Sequence, residues 1–410
     1  MDALAALRTP GLSRYLVGRF VSALGRQMLS LAIGWQLLER TNSAFALGLV
    51  GLIQVVPVIV LALPGGAIID RTNRRDMLIA SQTLLGLTGV ALAVVTRYHA
   101  PTPLIYALVF LFGIGIAFNS PTSAAFLPQL VPRAHFANAN AWMSTAFQLA
   151  ALGGLVAAGR IVRWRGDPFW VYVAEAATAL FFIVILLTLR RPPTPTPPPR
   201  DKKALRAGLR FVFGQKLLLS AITLDLFAVL LGGATALLPI FARDLLHVGA
   251  DGLGWLQAAP AMGAMLTALV TPRLAPWKRP GRVLIVVVAG FGLSTIGFGL
   301  ATHFAVALAA LFLTGVFDNI STVIRATLEQ AVTPDPLRGR VSSVHYVFIG
   351  LSNELGEFES GVTAALIGPV GSVLLGGAGT LVVIAVVMLA WPQLARLGPL
   401  DEIRPHEVLH

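Results

Sequence analysis

"GGAIIDRTNRR", residues 65–75, runs an apolar helix end straight into one acid and three arginines. Ile68 and Ile69 close the oily run, and Asp70, Arg71, Arg74 and Arg75 follow at once. Charge packed so tightly against an apolar segment marks the point where a helix leaves a bilayer and meets water. Gly65 and Gly66 are expected to let that helix end approach a neighbour closely. Asp70 is expected to close the helix, and Asn73 to take a left-handed turn. The arginines then lie at the membrane surface.

The whole chain fits that reading. Of 410 residues, 56% are hydrophobic and 12% charged, with a mean hydropathy of +0.78. Soluble domains carry about 25% charged residues, and half that amount cannot cover a water-facing surface of this size. Lipid must solvate much of it, which implies a polytopic membrane protein. The net charge of +12 does not indicate nucleic acid, because the basic residues fall between apolar runs rather than on one face of a soluble domain. Cysteine is absent, which excludes disulfides and thiolate metal sites. The first apolar run, Tyr15 to Leu38, is too long for a cleavable signal and contains Arg19 and Arg26, so it reads as a span.

Apolar runs of about 20 residues, enough to cross a bilayer, centre near residues 27, 57, 87, 115, 150, 180, 230, 261, 292, 315, 353 and 381. They predict an all-α integral membrane protein of twelve transmembrane helices in two pseudo-symmetric six-helix halves. The halves are 1–190 and 217–395, joined by a cytoplasmic proline-rich, basic linker at 191–216 and followed by a tail at 396–410. The segment "RRPPTPTPPPRDKKALRAGLR" (190–210) reads as an extended polyproline stretch leading into a basic surface helix. The halves also resemble each other. "LGLVGL" (47–52) matches "LGWLQA" (253–258), and "DMLIA" (76–80) matches "RVLIV" (282–286), both at an offset of 206. "LPQLVP" (127–132) matches "LEQAVTP" (328–334) at an offset near 201. Duplicated six-span halves form a transporter architecture with the site at the repeat interface.

Arginine and lysine outside the spans concentrate on the side of the two termini and the linker. The positive-inside rule therefore makes that side cytoplasmic. A multi-pass protein of the cell (cytoplasmic) membrane, with both termini cytoplasmic, is expected.

The 65–75 loop resembles the signature of the major facilitator superfamily: glycine, three residues, Asp, a basic residue, any residue, glycine, two basic residues. It is carried by Gly66, Asp70, Arg71, Arg74 and Arg75, with Asn73 where the second glycine usually stands. In that family these groups form cytoplasmic charge contacts that hold one conformation and break during transport. The alternative is that the cluster only anchors topology. Residues 19–60 and "SSVHYVFIGLSNELGEFESG" (342–361) look like the bacterial efflux branch that includes macrolide exporters and the enterobactin exporter. The resemblance implies a secondary active transporter working by alternating access and exporting an amphipathic organic compound such as a drug or siderophore. It also implies a monomer bound to no cofactor, with protons as a possible second partner. The fourth span lacks the arginine of many proton-coupled drug antiporters, and the fifth lacks their Gly-Pro pattern.

Ionisable residues inside spans are functional candidates, since each costs about 2.5–3.5 kcal/mol at mid-span on insertion scales. Arg19 and Arg26 lie seven apart on one face of the first span. Arg19 either snorkels to the cytoplasmic surface or points inward, while Arg26 faces a cavity or a carboxylate. Asp225 caps or pairs near a cytoplasmic end. Asp318 and Arg325 share a face of the tenth span, where they neutralise each other through water or Asp318 binds substrate or proton. On the eleventh span Asn353, Glu354, Glu357 and Glu359 cluster, with Glu354 and Glu357 on one face. Two close carboxylates in low dielectric favour each other's protonation. That suits Glu354, Glu357 and Asp318 to proton coupling, unless arginines nearby satisfy them structurally. Glu175 reads as structural. Trp35, Gln36, Gln54, Asn119, Gln148 and Trp255 are candidates for lining a substrate cavity or for plain packing. "GIG" (113–115) and "GGAG" (376–379) suit close helix contact.

Rival classes fare worse. A polytopic membrane enzyme needs a catalytic cluster, and the seven histidines are scattered. No P-loop for ATP is present. A channel would not need duplicated halves. A facilitator carrier for uptake, or for lipid-like substrates, stays open.

Overall fold

A computed structural model describes residues 6–9, 11–193, 209–232, 234–274, 277–334 and 337–399. Residues 194–208 of the expected linker (191–216) and 400–410 of the expected tail (396–410) lie outside these residues. No strand occurs among the described residues. The helices are α1 (Leu12–Thr41), α2 (Ala44–Arg71), α3 (Arg74–Arg97), α4 (Thr102–Leu130), α5 (Phe136–Arg165) and α6 (Phe169–Thr188), then α7 (Lys216–Gly232), α8 (Gly249–Leu274), α9 (Pro280–Gly299), α10 (Phe304–Val332), α11 (Arg338–Ile367) and α12 (Pro369–Ala390).

Ten helices among the described residues are long and apolar enough to cross a membrane. The expected count was twelve, and the other two are α1 and α11, each 30 residues long. They miss the composition for a physical reason. Each carries five charged side chains, among them the intramembrane charges singled out in the sequence.

Local sequence explains the helix ends. Asn42 ends α1 in the left-handed region at φ 48°, where its short polar side chain is tolerated. Ser43 then caps α2 by accepting a hydrogen bond from the Ala46 amide. Pro57 and Pro64 lie inside α2, and Pro121 and Pro128 inside α4. Neighbouring helices make such interruptions tolerable in a bilayer.

The chain divides into two compact units. Unit 1 comprises 1–46, 52–199 and 248–258, and unit 2 comprises 47–51, 200–247 and 259–410. Within unit 1 the main packing pairs are α3 with α6, α1 with α5, α1 with α6, and α3 with α4. Within unit 2 they are α9 with α12, α7 with α11, α7 with α12, and α9 with α10. Every pair of the first set recurs in the second with six added to each helix number. The weak repeat in the sequence is therefore one packing scheme used twice.

Each unit has its own core. In unit 1, Tyr15, Leu78, Phe126 and Phe182 are fully buried together. In unit 2, Leu218, Leu284, Ile324 and Leu328 do the same. Glycine permits the tightest crossings. A Cβ on Gly263 of α8 would lie 2.0 Å from the Phe312 carbonyl oxygen, and one on Gly315 of α10 would lie 1.9 Å from that of Pro260. This reciprocal contact sits one helical turn before Asp318.

Candidate functional site: charged groups within the two helical units

The opening loop is built differently from the sequence expectation in two respects. A Cβ on Gly66 would meet nothing within 4 Å, and one on Gly65 would make only ordinary contact with the Phe118 ring. The two glycines therefore serve no close crossing. Asn73 is extended (φ −65°, ψ 125°), and its side chain accepts a hydrogen bond from the Arg75 amide. It is the N-cap of α3, a role its side-chain oxygen fills directly.

The charges of the loop hold helix ends. Asp70 pairs with Arg74 at 3.1 Å, and Arg74 also donates to the Ile69 carbonyl at the end of α2. Arg75 donates to the Leu186 and Leu187 carbonyls at 2.6 and 2.8 Å. It thus caps the negative C-terminal end of α6. Asp76 pairs with Arg191 just beyond α6.

Further into unit 1, Arg19 points inward rather than snorkelling. Its guanidinium donates to Asn119 Oδ1 at 2.7 Å. Asn119, only 2% exposed, in turn donates to Ser81 Oγ and Gln82 Oε1, each at 3.2 Å. Arg26 donates to Ser22 Oγ, one turn back on its own helix, at 3.0 Å. Neither arginine has an ion-pair partner among the described residues.

Glu175 on α6 is the nearby acid, and its field reaches Arg26. It is 1% exposed, and both its oxygens lack a hydrogen-bond partner. Gly89 on α3 makes room for it, since a Cβ there would lie 2.1 Å from Glu175 Oε2. Sequence reading assigned Glu175 a structural place and could not see that its carboxyl lacks a donor.

The other cavity candidates of unit 1 are dispersed. Both ends of the Gln36 amide are used in a buried network, donating to Thr96 Oγ1 and accepting from Tyr172 Oη, each at 2.7 Å. Trp35 is 7% exposed and donates to Glu39 at 2.7 Å. Gln54, Gln148 and Trp255 are half-buried on α2, α5 and α8. Asp251 at the start of α8 pairs with Arg160 and Arg163 of α5 at 3.0 and 3.1 Å.

Unit 2 holds the densest charge cluster. Arg325 of α10 forms a buried ion pair with Asp225 of α7, so it does not neutralise Asp318 directly. The same guanidinium donates to Ser321 and Thr322 at 2.8 and 3.0 Å. Asp318 is exposed although it lies in the middle of α10. It lines a small cleft with Asp225, Val229, Phe291, Phe317 and Arg325. One guanidinium thus sits within reach of two carboxylates, one tightly paired and one open to the cleft. Removing one partner of a buried pair costs about 3–5 kcal/mol, because the other charge is left uncompensated. Asp225 is therefore fixed by Arg325, while Asp318 has no ion-pair partner among the described residues.

At the end of α10, Glu329 accepts hydrogen bonds from Ser342 and pairs with His345 Nδ1 at 2.6 Å. Sequence reading missed this triad. Its one signal was Glu329 itself, inside the duplicated "LEQAVTP". On α11, Glu357 accepts a hydrogen bond from Thr235 at 3.5 Å, and Glu359 one from Thr363 at 2.7 Å. Glu354 and Glu357 are half-buried, and Asn353 is exposed, donating to the Ile349 carbonyl. Among the described residues no group of His, Asp and Glu could hold a metal ion.

A packing scheme of five helices repeated in the two units, helices of bilayer length and charges within them mark a multi-pass membrane protein. The chain belongs to the Major Facilitator Superfamily, whose family model matches residues 15–356. It is similar to the enterobactin exporter EntS of Citrobacter koseri, at 27% identity over 400 residues, covering 96% of this chain and 95% of that protein. The EntS of Escherichia coli O1:K1 matches over the same shares at 26%. Among solved structures, a peptide transporter of the POT family superposes with a TM-score of 0.76, at 11% identity and 95% coverage of both chains. The nucleoside transporter NupG superposes with a TM-score of 0.75, at 11% identity, covering 92% of this chain and 99% of that one. At such identities the structural neighbours speak for the fold alone. The family and its named relatives are transporters rather than enzymes.

Proposed function

We propose that this chain is a secondary active exporter of an amphipathic organic compound, a siderophore or drug-like molecule. It lies in the cytoplasmic membrane as a monomer with both termini inside and works by alternating access. Export is supported by the relatives named as enterobactin exporters, and the cytoplasmic orientation by the distribution of arginine and lysine.

The observation that carries the mechanism is the cleft in which Asp318 lies open beside the buried Asp225–Arg325 pair. A carrier driven by protons needs a carboxylate whose proton affinity differs between its inward and outward states. Asp318 is supported by its place within a span, its position on the cleft and the nearby guanidinium already held by another acid. Glu354 and Glu357 are second candidates on α11. In proteoliposomes screened with siderophores, macrolides and lipophilic cations, Asp318→Asn is expected to abolish pH-gradient-driven accumulation while leaving substrate exchange intact. Glu354→Gln and Glu357→Gln are the parallel tests. Wild-type accumulation in all three variants would make these residues structural.

A further inference from the structure

Arg19 and Arg26 are intramembrane charges that the proton mechanism leaves unused. They lie two helical turns apart on one face of α1, about 10 Å along the axis at 1.5 Å per residue. A membrane-buried guanidinium without a counterion costs several kcal/mol, and two on one face compound that cost. A structural role would require an ion pair for each, yet among the described residues neither forms one, and the nearby Glu175 acts on Arg26 through its field alone. A snorkelling role would require Arg19 to reach outward. Instead it is drawn to Asn119, within a network whose members Ser81, Gln82 and Asn119 are 4%, 1% and 2% exposed.

The network positions charge without cancelling it. Asn119 offers Arg19 a carbonyl dipole, and its own amide is held in place by Ser81 and Gln82. Ser22 offers Arg26 a hydroxyl. A guanidinium has five N–H donors, and each of these two uses one nitrogen in the bonds described. Among the described residues neither guanidinium makes a further hydrogen bond. Glu175 makes no contact with the set: its buried oxygens accept no hydrogen bond, and it acts on Arg26 through its field alone. What the pair lacks is an oxyanion, the group a planar guanidinium fork binds in two-point fashion.

We propose that Arg19 and Arg26 form an anion-binding subsite within unit 1, seating a carboxylate, sulfonate or phenolate on the transported compound. This narrows the proposed substrates to amphipathic anions and rests on the exporter reading above. Its test is a binding measurement, so that failure of transport and failure of the subsite can be told apart.

Purified full-length protein in phosphatidylcholine nanodiscs is titrated with anilinonaphthalene sulfonate. A second titration uses phenylnaphthylamine, the same aromatic skeleton without the sulfonate, and empty nanodiscs are subtracted from both. The expected result is that wild-type protein binds the sulfonate at least about tenfold more tightly than the neutral probe. Arg19→Gln and Arg26→Gln should each weaken the sulfonate about tenfold and leave the neutral probe unchanged, while Arg26→Lys keeps most of the affinity. The wild-type preference is read without any substitution, so a variant that fails to fold does not remove the test. Equal affinity for the two probes, no saturable binding of the sulfonate, equal losses for both probes in the Gln variants, or displacement of the sulfonate by tetraphenylphosphonium would each overturn the proposal.

Discussion

Gly315 and Asp318 are one turn apart on α10, and the first fixes where the second can sit. A methyl group on Gly315 would enter the Pro260 carbonyl of α8, and one on Gly263 would enter that of Phe312. Backbone cannot step aside as a flexible side chain can, so overpacking here should cost about 1–3 kcal/mol. Gly315→Ala is therefore expected to lower the melting temperature in detergent by several degrees and to impair transport by displacing Asp318. Gly350→Ala, where the added Cβ meets nothing within 4 Å, is the control and should melt like wild type. Equal melting of the two variants would remove the crossing from the account. Residue identity was readable in the sequence at these positions, and residue partnership was not. Asp318 and Arg325, seven apart, looked like a pair, yet the guanidinium is held by Asp225 on another helix. No periodicity within one helix encodes what the neighbouring helix presents.

At the scale of elements, the charged loop between α2 and α3 carries two separable functions. Arg75 binds the carbonyls that end α6, and Asp70 with Arg74 ties the start of α3 to the end of α2. Asp70 is half exposed, at 47%, and a pair of that kind contributes at most about 1 kcal/mol to stability. Asp70→Asn should therefore leave expression and melting nearly unchanged. If the pair is a contact that breaks and reforms during transport, the same variant should slow transport several-fold, and Arg74→Ala should resemble it. A wild-type rate in Asp70→Asn would reduce the cluster to a signal for topology. The loop was recognisable from its charges, but its local geometry was misjudged. Asn73 favours both left-handed turns and helix caps, and only the backbone of the folded chain decides between them. Helices α1 and α11 show the opposite case. Their charges keep them below the apolar composition of a spanning helix, although the internal repeat assigns both a place.

At the scale of the whole molecule, the duplication visible as three weak matches becomes a correspondence of helix pairs, each packing in unit 1 recurring six helices later in unit 2. Short matches suffice to reveal it because packing depends on a few small and apolar positions, while most surface positions drift against lipid. The absence of cysteine makes orientation directly measurable. A single cysteine replacing Thr72 should react with impermeant maleimide only from the cytoplasmic side, and one replacing Thr102 only from outside. The reverse pattern would invert the topology.

The central claim, a carrier that moves an organic compound against its gradient, is tested most directly by accumulation in sealed proteoliposomes under an imposed pH gradient. The account predicts that at least one siderophore, macrolide or lipophilic organic ion rises above its equilibrium level inside and falls back when an ionophore collapses the gradient. If every compound merely equilibrates at a rate indifferent to the gradient, or none crosses faster than in protein-free liposomes, the account is contradicted.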